Sequence, residues 1–208
     1  MTHTDRVIAL QAASLLLGYP DRELYAQLPL LQRAAGQLPK AVGAPLGRLV
    51  THLMQTPQHE AERAYVDLFD LRRNCCLYLT YYAFGDTRNR GMALLRFTHE
   101  YKRAGHALVS DELPDHLSVV CEFAATGDTQ AGLALLAEHR AGLELIRLAL
   151  ADMGSPYTDA VDVVRGVLPD PAPQDLERAL ELARTGPPAE EVGLEPFAPP
   201  EYMGAPRR

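Results

Sequence analysis

Hydrophobic residues recur every three to four positions along almost the whole chain, and the strict alternation of a half-buried strand is nowhere convincing. That period predicts helices. Val7, Leu10 and Leu17 share one face of a first helix that Asp5 is placed to cap and Gly18-Tyr19-Pro20 to end. Asp21 opens a second, which Pro29 should break or kink before the chain resumes as Leu30 to Leu38. Pro39 and Pro45 bound the next connection, and Leu46, Leu49, Val50 and Leu53 form another buried stripe. Thr56 then caps a helix with Pro57 at its first position, and this helix carries Tyr65, Leu68 and Phe69.

Leu77 to Phe84 is the ambiguous stretch, β-prone in composition and without a clear 3.6 period. A lone strand among helices leaves its backbone groups unpaired, so a short buried helix is expected. Asp86 or Thr87 caps the long helix that runs to about Gly105. Ser110 or Asp111 caps the next, Leu113 to Ala125, with Pro114 in its first turn. Two helices fill Thr129 to Met153, another runs from Ser155-Pro156 to near Leu168, and a stiff linker at 169–173 leads to a last one over Gln174 to Arg184. From Gly186 onward, six prolines and three glycines in 23 residues preclude continuous helix. The expected architecture is all-α: a single-domain multi-helix bundle over residues 1–185, then an extended or disordered Pro-rich tail over 186–208 that Val192, Leu194, Phe197, Tyr202 and Met203 can anchor locally.

Composition narrows the function. A chain of 208 residues, 47% hydrophobic, suffices for one sizeable core. A net charge of -7, with Lys40 and Lys102 the only lysines, argues against nucleic acid. Cys75, Cys76 and Cys121 are odd in number and two are adjacent, which draws no disulfide framework and fits reduced thiols. Val7 to Leu17 is apolar, but Gln11 and Ser14 interrupt it, Asp5 stands where a basic region belongs, and Tyr19-Pro20-Asp21 is no small-residue cleavage site. No run reaches the ~18 apolar residues of a membrane span, so a soluble, cytoplasmic protein is expected.

The chemistry-bearing residues are few. Asp115 and His116 suit a general base and its orienting partner by type, but neighbours in sequence point about 100° apart on a helix and no third partner is fixed. The alternatives are a helix-capping Asp115 with His116 bonded to a nearby loop, or two polar groups at the mouth of an apolar groove. Gly85-Asp86-Thr87-Arg88-Asn89-Arg90-Gly91 lacks the spacing and lysine of a phosphate loop and reads as turn and cap, its arginines free to pair with Asp70 or Asp115. The histidines and cysteines show no metal-ligand spacing, so neither a metal nor a cofactor is assigned. Cys75-Cys76 reads as two small core-facing residues, with one exposed thiol as the alternative.

Four segments occur in an order that marks a family: Tyr65-Val66-Asp67-Leu68-Phe69-Asp70-Leu71, Cys76-Leu77-Tyr78-Leu79-Thr80-Tyr81-Tyr82, the Gly85 to Gly91 turn, and Glu112-Leu113-Pro114-Asp115-His116-Leu117. With them the chain resembles the nitrate reductase molybdenum cofactor assembly chaperones, NarJ, among the TorD-like redox-enzyme maturation proteins. The resemblance runs from about Ala12 through Ala125 and returns at Glu191 to Phe197. It implies a TorD-like helical bundle and a dedicated chaperone, not an enzyme. Such a chaperone binds the apo catalytic α subunit of a respiratory nitrate reductase by its N-terminal segment. It keeps that subunit open for molybdenum cofactor insertion, supports iron-sulfur loading, delays membrane docking, and is absent from the finished enzyme. By position, Asp115 and His116 match the family's acidic and histidine pair, while Tyr65, Leu68 and Phe69 match its aromatic helix. Cys76 and Ser118 depart from the pattern, the latter standing where proline is frequent.

A groove for a client's amphipathic helix is therefore expected, walled by Tyr65, Phe69, Tyr81, Tyr82, Leu117 and Cys121, with Arg88, Asp115 and His116 at its rim. The alternatives are a chaperone for another molybdoenzyme, an adaptor unrelated to cofactors, or a helical enzyme using Asp115, His116 and Glu122. Monomer and homodimer remain open.

Overall fold

A computed structural model describes residues 1–108, 112–171 and 173–188, with the backbone alone at 174–176. Among the described residues no strand ladder forms. The chain folds as α1 (His3–Leu16), α2 (Arg22–Gln37), α3 (Lys40–Gln55), α4 (Gln58–Tyr65), α5 (Leu79–Phe84), α6 (Arg88–Arg103), α7 (Leu117–Thr126), α8 (Thr129–Glu138), α9 (Arg140–Asp152), α10 (Thr158–Val167) and α11 (Pro173–Thr185). A π-helical turn at Val66–Asp70 and a 3-10 turn at Arg73–Cys75 link α4 to α5. The all-α expectation holds, and no described helix is long and apolar enough to cross a membrane.

The hub is α1, whose buried face of Ala9, Ala12 and Ala13 beside Leu10 and Leu16 lets α7 and α10 approach closely. Small side chains set that distance. Helices α2 and α3 fold back on one another, as do α7 and α8, and α10 lies against α1, α3 and α9. Arg48 pairs with Asp159 across the α3–α10 seam. On the other side, α9 supports α5 and α11.

Several boundaries differ from the sequence expectation. Thr2 rather than Asp5 caps α1. Its hydroxyl accepts from Asp5 N–H at 3.0 Å while the Asp5 carboxylate accepts from Thr2 N–H at 2.9 Å, so Asp5 is the second half of a capping box. Pro29 and Pro45 break nothing and lie inside continuous helices. Each forfeits one backbone hydrogen bond and crowds the preceding turn, at a cost of ~3 kcal/mol. Burial offsets this: Leu24, Leu28 and Leu31 from α2 interlock with Val42, Leu46, Leu49 and Leu53 from α3, each leucine being worth about 1.5–3 kcal/mol. The cap of α4 is Pro57, and the Thr56 hydroxyl donates instead to His52 O. Leu68 and Phe69 sit in the π-helical turn, where Leu71 N–H reaches back five residues to Val66 O at 3.1 Å.

The largest correction concerns the helix expected from Leu113. It starts at Leu117 with His116 as its cap, while Ser110 and Asp111 lie outside the described residues. Long-range partners hold the preceding backbone: Pro114 O accepts from the Tyr101 hydroxyl and Asp115 O from Leu79 N–H. Those carbonyls are no longer available to a first helical turn. Nearly all of the Pro-rich tail also lies outside the described residues, which end at Pro188.

Candidate functional site

The centre of the molecule's polar chemistry is a crossing of two short segments. Leu79 N–H donates to Asp115 O at 3.1 Å and Leu117 N–H to Leu77 O at 2.8 Å, forming one antiparallel bridge between Tyr78 and His116. This is what became of the β-prone run. It pairs for a single rung, then turns into α5 as expected. Asp115 is fully buried, and one carboxylate oxygen accepts from Thr80 N–H at 3.0 Å and from Thr80 Oγ1 at 2.5 Å. Asp115 thus caps α5, not its own helix. Arg90 completes the arrangement by donating to Thr80 Oγ1 at 3.2 Å, pairing with Asp86 at 3.4 Å and lying over the Tyr78 ring.

His116 is nearly buried, edge-on to Tyr78, and shares a 2.6 Å hydrogen bond with Ser118 Oγ. Burial lowers its pKa, against the opposing charges of Glu112, Asp115 and Asp70. Tyr78 donates to Glu112 at 3.1 Å, and burial followed by the Glu112 charge pushes its hydroxyl up to about 12. Glu122 faces solvent on α7, so the carboxylate and imidazole groups of the enzyme alternative are not gathered into one polar pocket.

Tyr65 and Phe69 belong to a second cluster. Their rings pack 4.7 Å apart and both meet Tyr157, with Tyr19 edge-on to Tyr65, whose hydroxyl donates to Leu17 O at 2.9 Å. The Tyr65, Phe69 and Tyr157 rings are core, whereas Tyr19 stays about half exposed. Leu117 and Cys121 are also fully buried, and burial raises the thiol pKa of all three cysteines, which disfavours the reactive thiolate. Cys76 is only half-buried. Tyr81 is half-buried and edge-on to Tyr82, and Arg88 is exposed at the start of α6.

A cleft of about 840 Å³ does exist, in the size range of ligand sites, and of the nine residues expected to form one only Tyr82 lines it. Leu79 and Tyr82 of α5 form one wall, Met92, Ala93, Arg96 and Phe97 of α6 another. Glu138, His139 and Gly142 close the floor where α8 meets α9, and Leu182 stands on the α11 side. Gly142 matters because a β-carbon there would lie 3.0 Å from that of Tyr82, so its absence seats α5 on α9. Arg96 bridges to Glu138 at 2.7 Å, and the Phe97 ring lies 5.3 Å from that of His139, whose pKa burial lowers. Met92 and Leu95 are 70% and 61% exposed, an unusual amount of open apolar surface on one helix. From the sequence, Leu95 reads as one of the apolar residues of this helix with Leu94, Phe97 and Tyr101, and Met92 stands out from none of its polar neighbours; the structure leaves both exposed. The three-residue spacing of Met92 and Leu95, which puts both on one helix face, was the available signal.

The model of one protein family, the nitrate reductase delta subunits, matches residues 35–162, more than half of the chain. The chain belongs to that family. Within the delta subunit family, it is 29% identical over 176 residues to the Bacillus subtilis protein assigned as the nitrate reductase molybdenum cofactor assembly chaperone NarJ, covering 81% of this chain and 92% of the relative. It is 30% identical over 161 residues to NarJ of Escherichia coli K12, 76% of this chain and 68% of that one. It is 40% identical over 154 residues to the nitrate reductase-like protein NarX of Mycobacterium tuberculosis, covering 74% of this chain but only 23% of NarX. A crystal structure assigned as a redox enzyme maturation protein from Archaeoglobus fulgidus shares the fold, with a TM-score of 0.57 at 22% identity over 80% of this chain and 95% of that one. The delta subunit match contains the aromatic segment, the Gly85 to Gly91 turn, the Asp115 crossing, and the α5, α6, α8 and α9 walls of the cleft.

Proposed function

We propose that this protein is a cytoplasmic, non-catalytic maturation chaperone that binds the apo catalytic α subunit of a respiratory nitrate reductase during molybdenum cofactor insertion. The observation that carries the reading is the α5–α6–α9 cleft, more apolar than polar in its lining and bordered by uncovered Met92 and Leu95, in a member of the delta subunit family. A groove between helices suits one apolar face of an amphipathic segment, and the N-terminal segment of the catalytic subunit is the proposed occupant. Burying ~600 Å² of apolar surface is worth about 15 kcal/mol gross, from which ~4–15 kcal/mol of association cost is subtracted. Such a contact is tight enough to hold an unfinished subunit and weak enough to let it go. The buried Asp115 crossing then has a positioning role, fixing α5 as the cleft wall rather than touching the client.

The test is binding of a synthetic peptide copying the N-terminal segment of the nitrate reductase catalytic subunit, followed by calorimetry. Met92→Glu changes an exposed residue, so the fold is retained while affinity falls at least about tenfold, equivalent to ~1.4 kcal/mol. Undiminished binding would remove the cleft from the reading.

A further inference from the structure

Three of the cleft's walls, α5, α6 and the α8–α9 junction, belong to the packed body, whereas the fourth is the C-terminal helix α11 and the turn after it. Their attachments differ. Arg140, buried at the start of α9, donates to Pro169 O and pins the chain up to that point. Asp170 and Pro171 beyond it are exposed, and α11 begins at Pro173. Among its described side chains only Leu182 is a large apolar group packed on the core, and it is half-buried. Leu180 is left 60% exposed. The Thr185 hydroxyl hydrogen-bonds to Glu181 O and Gly186 O, so these bonds stay at the helix end and do not reach the body.

The turn after α11 crosses a motif of the sequence. Gly85, with φ of 57°, lies against Pro188, and a side chain at Gly85 would collide with the Pro188 carbonyl. The glycine opening the Gly85 to Gly91 turn therefore admits residues 186–188 onto the α5–α6 corner, where Pro188 lines the cleft. Against α9, α11 places one partly buried leucine among its described side chains, and a short helix so held is marginal by itself. Tethered to the same chain, it still occupies its place at high effective concentration.

We propose that α11 and residues 186–188 are a displaceable wall of the cleft, a built-in competitor that an entering client helix pushes aside. The proposal rests on the cleft being the client site. Its consequence is thermodynamic: the client meets an open cleft only in the fraction of molecules with α11 undocked, which weakens apparent affinity by that fraction and excludes weaker apolar segments.

Hydrogen exchange on the full chain, with and without the synthetic N-terminal peptide, tests this. In the free chain, α11 amides are expected to exchange by local opening, far faster than those of α1. Adding peptide is expected to protect amides of α5 and α6 and to speed exchange in α11. Leu182→Glu, which undocks α11, is expected to tighten peptide binding roughly five- to tenfold. Amides of α11 as slow as those of α1 in the free chain overturn the proposal whatever the peptide does. Protection of α5 and α6 with α11 unchanged or slowed, or weaker binding by Leu182→Glu, overturns it while leaving the client site intact. Absence of peptide binding to the unaltered chain removes both.

Discussion

Asp115 caps a helix 35 residues earlier in the chain, its carboxylate accepting from the Thr80 amide at 3.0 Å and the Thr80 hydroxyl at 2.5 Å. Both donors are buried, so their acceptor is costly to remove. Asp115→Ala is expected to lower stability by about 2–4 kcal/mol in chemical denaturation, since each stranded buried donor costs ~1–3 kcal/mol. Asp115→Asn retains an acceptor and is expected to cost about 1 kcal/mol. Equal losses for the two variants would contradict the capping role.

Acid should weaken the fold through two histidines. Burial holds His116 and His139 below the ordinary 6.5, although Glu112, Asp115 and Asp70 face the first and Glu138 and Asp115 the second, whose pKa Arg96 lowers further. The folded state therefore binds protons less readily than the unfolded chain. Their contribution is fully present above pH 6.5 and is lost as pH falls from there through the folded-state values. Melting temperature should drop between pH 7 and pH 5, and His116→Gln combined with His139→Gln should flatten that slope. A double variant with the original pH profile would refute the assignment.

Gly132 of α8 sits against α7, where an added β-carbon would lie 2.5 Å from Ala124 Cβ and 2.6 Å from Ala124 Cα. In an open helix, alanine for glycine gains about 0.5–1 kcal/mol. Here overpacking should reverse the sign, with Gly132→Ala destabilising by about 1–3 kcal/mol. Urea titration reads the difference directly.

Two tyrosines of one aromatic cluster should respond in opposite ways. The Tyr65 hydroxyl donates to Leu17 O, whereas the Tyr157 hydroxyl is buried with no partner among the described residues. Tyr65→Phe should cost about 1–2 kcal/mol by stranding the Leu17 carbonyl. Tyr157→Phe should be neutral or stabilise by up to about 1 kcal/mol, because it removes an unsatisfied group. Thermal melts of the two single variants are sufficient.

The amino-acid pattern alone determined that the chain is helical, where most helices lie, and which family it belongs to. Such features are local: a 3.6 period, an Asp21 cap, a Gly18-Tyr19-Pro20 stop and four short segments in order are legible without knowing what packs on what. Tertiary structure decided the rest, because burial and long-range hydrogen bonds depend on partners far along the chain. Pro29 and Pro45 read as breakers until the packing of α2 on α3 outweighs them. Asp115 and His116 read as a groove rim until Leu79 and Thr80 draw them inside. Tyr65 and Phe69 turn inward because Tyr157, some ninety residues away, is waiting there, and the cleft opens instead where Gly142 lets α5 rest on α9 beneath the bare face of α6.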